Sequence, residues 1–137
     1  MAETGLERFI AMHKAGTDAF NRGDLADAVS VFSEDTEWHA VSEDPESNVL
    51  RGPEAIKLFF EEYRSVFDEW QSEPLGYEEI REGMALVHHV IRGTSRGAGV
   101  PVEVDTWEVW EVDVESQQPQ RVRQFLSRDE AMEAAAA

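Results

Sequence analysis

The hydrophobic period of this chain changes near position 70, and that change limits the fold more than any other feature. Before it, apolar residues recur at spacings of three and four. Leu6, Phe9, Ile10, His13, Thr17 and Phe20 lay one stripe along a first helix. Asn21-Arg22-Gly23 stops it, with Gly23 suited to a left-handed position. Asp24 then caps a shorter helix whose buried side is Leu25, Ala28, Val29 and Phe32. Thr36 to Val41 reads as a short strand, Ser42 to Asn48 as a loop, and Asn48 to Arg51 as a brief extended piece. Gly52-Pro53 opens a third helix with Ile56, Phe59, Phe60, Tyr63, Phe67 and Trp70 on its apolar face. After Trp70 the period falls to about 2, the mark of strands. Ser72 to Arg81, Met84 to Arg96, Val100 to Glu115 and Arg121 to Leu126 are joined by turns and a short polar loop, as in an antiparallel meander. Ser127 caps a last helix over Arg128 to Ala134, with a frayed alanine tail. Helices followed by one curved antiparallel sheet make an α+β domain, expected to span 1–137 as a single unit.

Composition removes several classes of function. Twelve Lys and Arg against 29 Asp and Glu give a net charge of −17, which repels phosphate backbones and anionic lipid. Neither nucleic acid nor a membrane surface is an expected partner. With no cysteine, disulfides, thiol catalysis and cysteine metal sites are excluded. The N-terminus has no basic region followed by an apolar run, so the expected location is the cytoplasm. An apolar fraction of 42% is too rich for a disordered acidic tail.

Several phrases resemble a known family. Phe20-Asn21-Arg22-Gly23-Asp24-Leu25 followed by Phe32-Ser33-Glu34-Asp35-Thr36-Glu37-Trp38 is similar to the opening of SnoaL-like proteins, members of the nuclear transport factor 2-like superfamily. Leu50-Arg51-Gly52-Pro53-Glu54-Ala55-Ile56 resembles the family's entry into its third helix, and Arg121 to Ala131 its final strand and closing helix. The resemblance implies a cone-shaped sheet wrapped on three helices, an apolar cavity at the open end, and frequent dimers. Its members include steroid isomerases, epoxide hydrolases, polyketide cyclases, dehydratases and binders without chemistry, so the fold does not decide activity.

The polar residues facing such a cavity carry the functional question. Along the strand from Val102, one parity holds Val102, Val104, Thr106, Glu108, Trp110, Val112 and Val114. This is the core face, and Glu108 is its single carboxyl group. Unpaired among apolar neighbours it costs several kcal/mol, so it must be paired, hydrated or protonated. The resemblance puts Glu108 where ketosteroid isomerases keep a protonated aspartate, and burial is expected to raise its pKa towards neutrality. It also puts the isomerase tyrosine at Gly16 and the isomerase base at Ala40, so isomerisation by that route is not expected. The acidic residue of the hydrolases and cyclases falls at Gln124, an amide that cannot take a proton at neutral pH.

His88 and His89 point to opposite faces of their strand, and the parity of Ala85, Val87 and Ile91 favours His89 towards the cavity as an acid–base partner of Glu108. His13 reads as core packing in the space of the missing tyrosine. Glu37 and His39 share a face but lack a third ligand, so no metal is expected, and no cofactor is implied. Trp38, Tyr63, Trp110 and Gln124 are the expected contacts of a flat, hydrophobic small molecule. On the opposite sheet face, Trp107, Val109, Arg123 and Phe125 form a patch expected to pair with a second copy of the chain. Three readings stand. One is an isomerase, cyclase or hydrolase working through Glu108 with His89 and Gln124. The others are a dimeric binder without turnover and an accessory module.

Overall fold

The computed structural model of the protein describes residues 4–41 and 49–137. The loop expected over Ser42 to Asn48 lies outside the described residues. Helix α1 runs from Gly5 to Arg22, begun by the Thr4 hydroxyl accepting the Glu7 N–H and ended at Gly23, whose φ of 81° is left-handed. Asp24 caps the one-turn helix α2, Leu25–Ala28, by accepting the Asp27 N–H. Short strands β1, Glu37–His39, and β2, Val49–Arg51, precede helix α3, Pro53–Ser65. Four longer strands follow: β3, Phe67–Arg81; β4, Met84–Ser95; β5, Pro101–Val112; and β6, Pro119–Phe125. Helix α4, Arg128–Ala136, closes the chain.

The six strands form one sheet in the order β2-β1-β6-β5-β4-β3. Every pairing is antiparallel except β1 with β6, which run parallel. β2 and β3 are its edges, so the curved sheet wraps the helices without closing into a barrel. The α+β class and the helices-then-sheet order are as the sequence predicts. The inner face packs on α1, α2 and α3 through Phe9, Val29, Phe32, Ile56, Val87 and Trp110.

Three boundaries differ from the sequence reading. α3 stops at Ser65, so Phe67 and Trp70 belong to β3. A register shift between Phe67 and Glu69 adds a residue to the strand, which puts positions 67 and 70 on one face and imitates the helical spacing of three. β5 ends at Val112, where the chain turns, and Val114 is exposed. α4 continues through Ala136, because Ala131 and Ala135 are buried against Met84, Leu86 and Val109 on the outer sheet face. The patch expected at a dimer face is thus partly covered by the chain's own last helix: Val109 is fully buried, and Trp107 and Phe125 are half-buried.

Candidate functional site

Between the C-terminal half of α1, the aromatic face of α3 and the inner sheet face lies a cavity of about 230 Å³, partly open to solvent. Its walls are mostly apolar and rich in aromatic rings. Phe20 meets Phe60 and Trp70 edge-on with ring centroids 5.0 Å apart, Tyr63 meets Trp70 at 5.2 Å, and Trp38 meets Phe60 at 5.2 Å. Such edge-to-face contacts hold the rings without filling the space between them. Gly16 and Ala40, where the resemblance places an isomerase's tyrosine and base, both line the cavity and bring no polar group to it.

Glu108 lies on the cavity wall with 3% of its surface exposed, as the parity of β5 predicts. Trp110 donates its indole N–H to Glu108 Oε1 at 3.0 Å, and Gln124 donates its amide N–H to Oε2 at 2.8 Å. Gln124 is in turn fixed by the Trp38 indole N–H on its Oε1 at 3.3 Å. His13 Nε2 stands 3.8 Å from Glu108 Oε1, and its Nδ1 is 2.8 Å from the Tyr77 hydroxyl. A chain of polar groups therefore runs Tyr77–His13–Glu108–Gln124–Trp38 through a mostly apolar interior.

This arrangement reverses the expected direction of the Glu108 titration. Burial pushes its carboxyl up, but the His13 contact, the charges available on His89 and His13 and the Trp110 N–H outweigh it. Together they hold the pKa down at about 2. Glu108 is a carboxylate at neutral pH, not the protonated acid that the resemblance implies. Its negative charge explains part of the upward shift of the Tyr77 hydroxyl, after burial.

His89 faces the cavity and His88 does not. His89 Nε2 lies 2.8 Å from Ser72 Oγ, and burial lowers its pKa, so the imidazole is neutral near pH 7. Asn21 clamps the Ser72 backbone with two hydrogen bonds of 2.8 Å, which fixes that wall. His89 meets His13 edge-on at 5.6 Å, so His13, not His89, is the imidazole beside the carboxylate. His88 stacks flat on Trp107 at 4.4 Å on the outer face and bonds Asp105 at 2.9 Å. Glu37 and His39 bond each other, with Arg51 on the same carboxylate. Among the described residues no three His, Asp or Glu side chains are grouped to hold a metal ion, and no helix is long and apolar enough to cross a membrane.

Of the residues singled out in the sequence, Glu108, Trp110, Gln124 and Trp38 come together in one network, while Tyr63 and His89 line the same cavity elsewhere. Four residues at the site had drawn no functional expectation. His13 looked like packing because it sits one turn after Phe9 on an apolar stripe. Tyr77 and Ser72 lie on β3, where shifts of register hide the parity. Thr106 was legible only as a member of the core face. It is 4% exposed, and its hydroxyl is buried with no hydrogen-bond partner among the described residues, as is the Trp70 indole N–H.

Comparison with solved structures agrees with this architecture. Bal32a, from a soil-derived mobile gene cassette, superposes with a TM-score of 0.75 at 21% identity over 96% of this chain and 98% of its own. SalBIII, an epoxide hydrolase/cyclase-like enzyme of pyran ring formation in the polyether salinomycin, gives 0.71 at 17% identity over 89% and 92%. A Mycobacterium tuberculosis protein in complex with estradiol-17beta-hemisuccinate gives 0.71 at 13% identity over 93% and 97%. At these identities the likeness is one of fold. No curated protein matches the sequence. Residues 14–117 match the SnoaL-like domain, and with the three-helix, curved-sheet architecture around them they show that this chain belongs to the SnoaL-like family of the nuclear transport factor 2-like superfamily.

Proposed function

We propose that this protein binds a hydrophobic small molecule in the aromatic cavity and uses the Glu108 network to orient it. The observation that carries the proposal is the combination of a mostly apolar, ring-rich wall with one buried carboxylate. Two N–H groups, of Trp110 and Gln124, bond a carboxylate that offers about four sites, which leaves room for a hydroxyl of a ligand. The similarity of fold to a protein crystallised with an estradiol ester and to a cyclase-like enzyme supports the same reading. A thermal-shift panel of aromatic ketones, phenols, terpenoids and steroids tests it, since a ligand that binds only the native state must raise the melting temperature. No shift with any of them contradicts binding.

A catalytic reading rests on a separate observation. A carboxylate held near pKa 2 is a weak proton acceptor and cannot donate at pH 7, so Glu108 alone is poorly matched to acid–base work. His89 is better placed: a neutral imidazole on the cavity wall, bonded to Ser72. In an isomerase, cyclase or hydrolase of this design, His89 takes the proton, and Glu108 with His13 and Gln124 holds the substrate. His89→Gln then lowers kcat for any substrate found by far more than it weakens binding, a split that a passive binder does not give.

The outer sheet face supports a second copy of the chain at the part that α4 leaves uncovered, around Trp107 stacked on His88. Sedimentation at micromolar concentration tests it, and a monomer contradicts it.

A further inference from the structure

We propose that Thr106 and His89 form the oxygen-binding pole of the cavity, and that the ligand they select is a compact, neutral, bicyclic aromatic ketone. The proposal rests on the reading of the cavity as a ligand site and adds which chemistry that site accepts. Thr106 and His89 face each other directly across β5 and β4, on the cavity side of both strands. Thr106 has a buried hydroxyl with no hydrogen-bond partner among the described residues. The better of the two nitrogen contacts of His89 is with Ser72 at 2.8 Å, and its second nitrogen has only the same hydroxyl at 3.4 Å. Buried polar groups are nearly always paired in folded proteins, so a wall with surplus hydrogen-bonding capacity is unusual. One step about the Thr106 Cα–Cβ bond exchanges hydroxyl and methyl, groups of similar size, and turns the donor towards a ligand oxygen without changing the packing.

Two observations narrow the ligand. The Glu108 carboxylate and a net charge of −17 oppose an anion, whereas the N–H groups around Glu108 already answer its charge and leave a cation little to gain. The volume of about 230 Å³ is half as large again as a cavity of roughly 150 Å³ that holds benzene, which suits two fused rings.

The test uses 1-tetralone and its hydrocarbon counterpart tetralin, titrated into the full chain and followed by calorimetry and by tryptophan fluorescence. The wild type is expected to bind the ketone about tenfold more tightly than the hydrocarbon. Thr106→Val is expected to keep tetralin binding and bring the two ligands within about threefold, while Thr106→Ser restores the preference. The unliganded Thr106→Val protein is expected to melt at or above the wild-type temperature, because an unpaired hydroxyl has been replaced by a methyl. A ketone preference that survives in Thr106→Val, or a marked fall in its melting temperature, overturns the assignment of Thr106 while leaving the cavity reading intact. Wild-type protein that binds neither compound overturns this proposal, and the wider thermal-shift panel then decides the cavity reading.

Discussion

At the scale of single residues, the site is governed by how one buried charge is answered. Glu108 lies where desolvation alone would neutralise it, yet Trp110, Gln124 and His13 keep it ionised. Hydrogen bonds to a charged group are worth about 1.5–3 kcal/mol, so Glu108→Gln is expected to lose about that much stability at pH 7 in urea unfolding. The pH dependence has a definite sign. A carboxyl whose folded pKa lies near 2, below its ordinary 4.5, contributes stability that is present above 4.5 and is lost as pH falls towards 2. The difference in unfolding free energy between wild type and Glu108→Gln is therefore expected to shrink as pH falls below 4.5. A difference that stays flat down to pH 2 contradicts the assignment. The inward direction of Glu108 was legible because β5 alternates without interruption from Val102 to Trp110. Its charge state was not, because the partner that sets it, His13, comes from a helix far away in the chain, and apolar spacing does not reveal which polar side chains meet.

Among the elements, β3 was the hardest to read and positions much of the site. It carries Trp70, Ser72 and Tyr77, and its pairing with β4 shifts register at three places. Each shift moves later side chains to the other face, so simple alternation fails. The same shifts made the end of α3 look five residues longer than it is. Gly93 in β4 answers the first of them. A Cβ there would press inside van der Waals contact of the Glu69 carbonyl oxygen and lie 3.0 Å from the Phe67 ring. Gly93→Ala is expected to destabilise the protein by about 2–3 kcal/mol, since neither backbone can give way without breaking the ladder. Because Phe67 packs on Trp70 at 4.8 Å, the variant should also shift the tryptophan emission of the native state. An alanine variant as stable as the wild type would show that the two strands do not approach as described. Helix starts, by contrast, were legible from local chemistry alone: Asp24 and Ser127 cap the helices that follow them, as expected.

Across the whole molecule, the balance of charge is the dominant long-range term. A net charge of −17 on 137 residues stores self-repulsion that unfolding relieves. Raising ionic strength from about 10 mM to about 200 mM shortens the screening length from roughly 30 Å to under 10 Å, so the urea midpoint is expected to rise with sodium chloride. A midpoint that falls would mean that surface ion pairs, such as Arg92 with Glu73 and Arg128 with Glu78, outweigh the repulsion. The layered architecture itself followed from the order of hydrophobic periods, which is a property of the whole chain. The parallel contact of β1 with β6 did not, because it joins residues more than eighty positions apart through strands too short to show a pattern. The claim on which the site depends is that an ionised glutamate stands inside the aromatic cavity, and carboxyl-carbon NMR titration of Glu108 in the native protein tests it most directly. The expected result is a single transition near pH 2, absent from Glu108→Gln; a transition at or above 4.5 would contradict it.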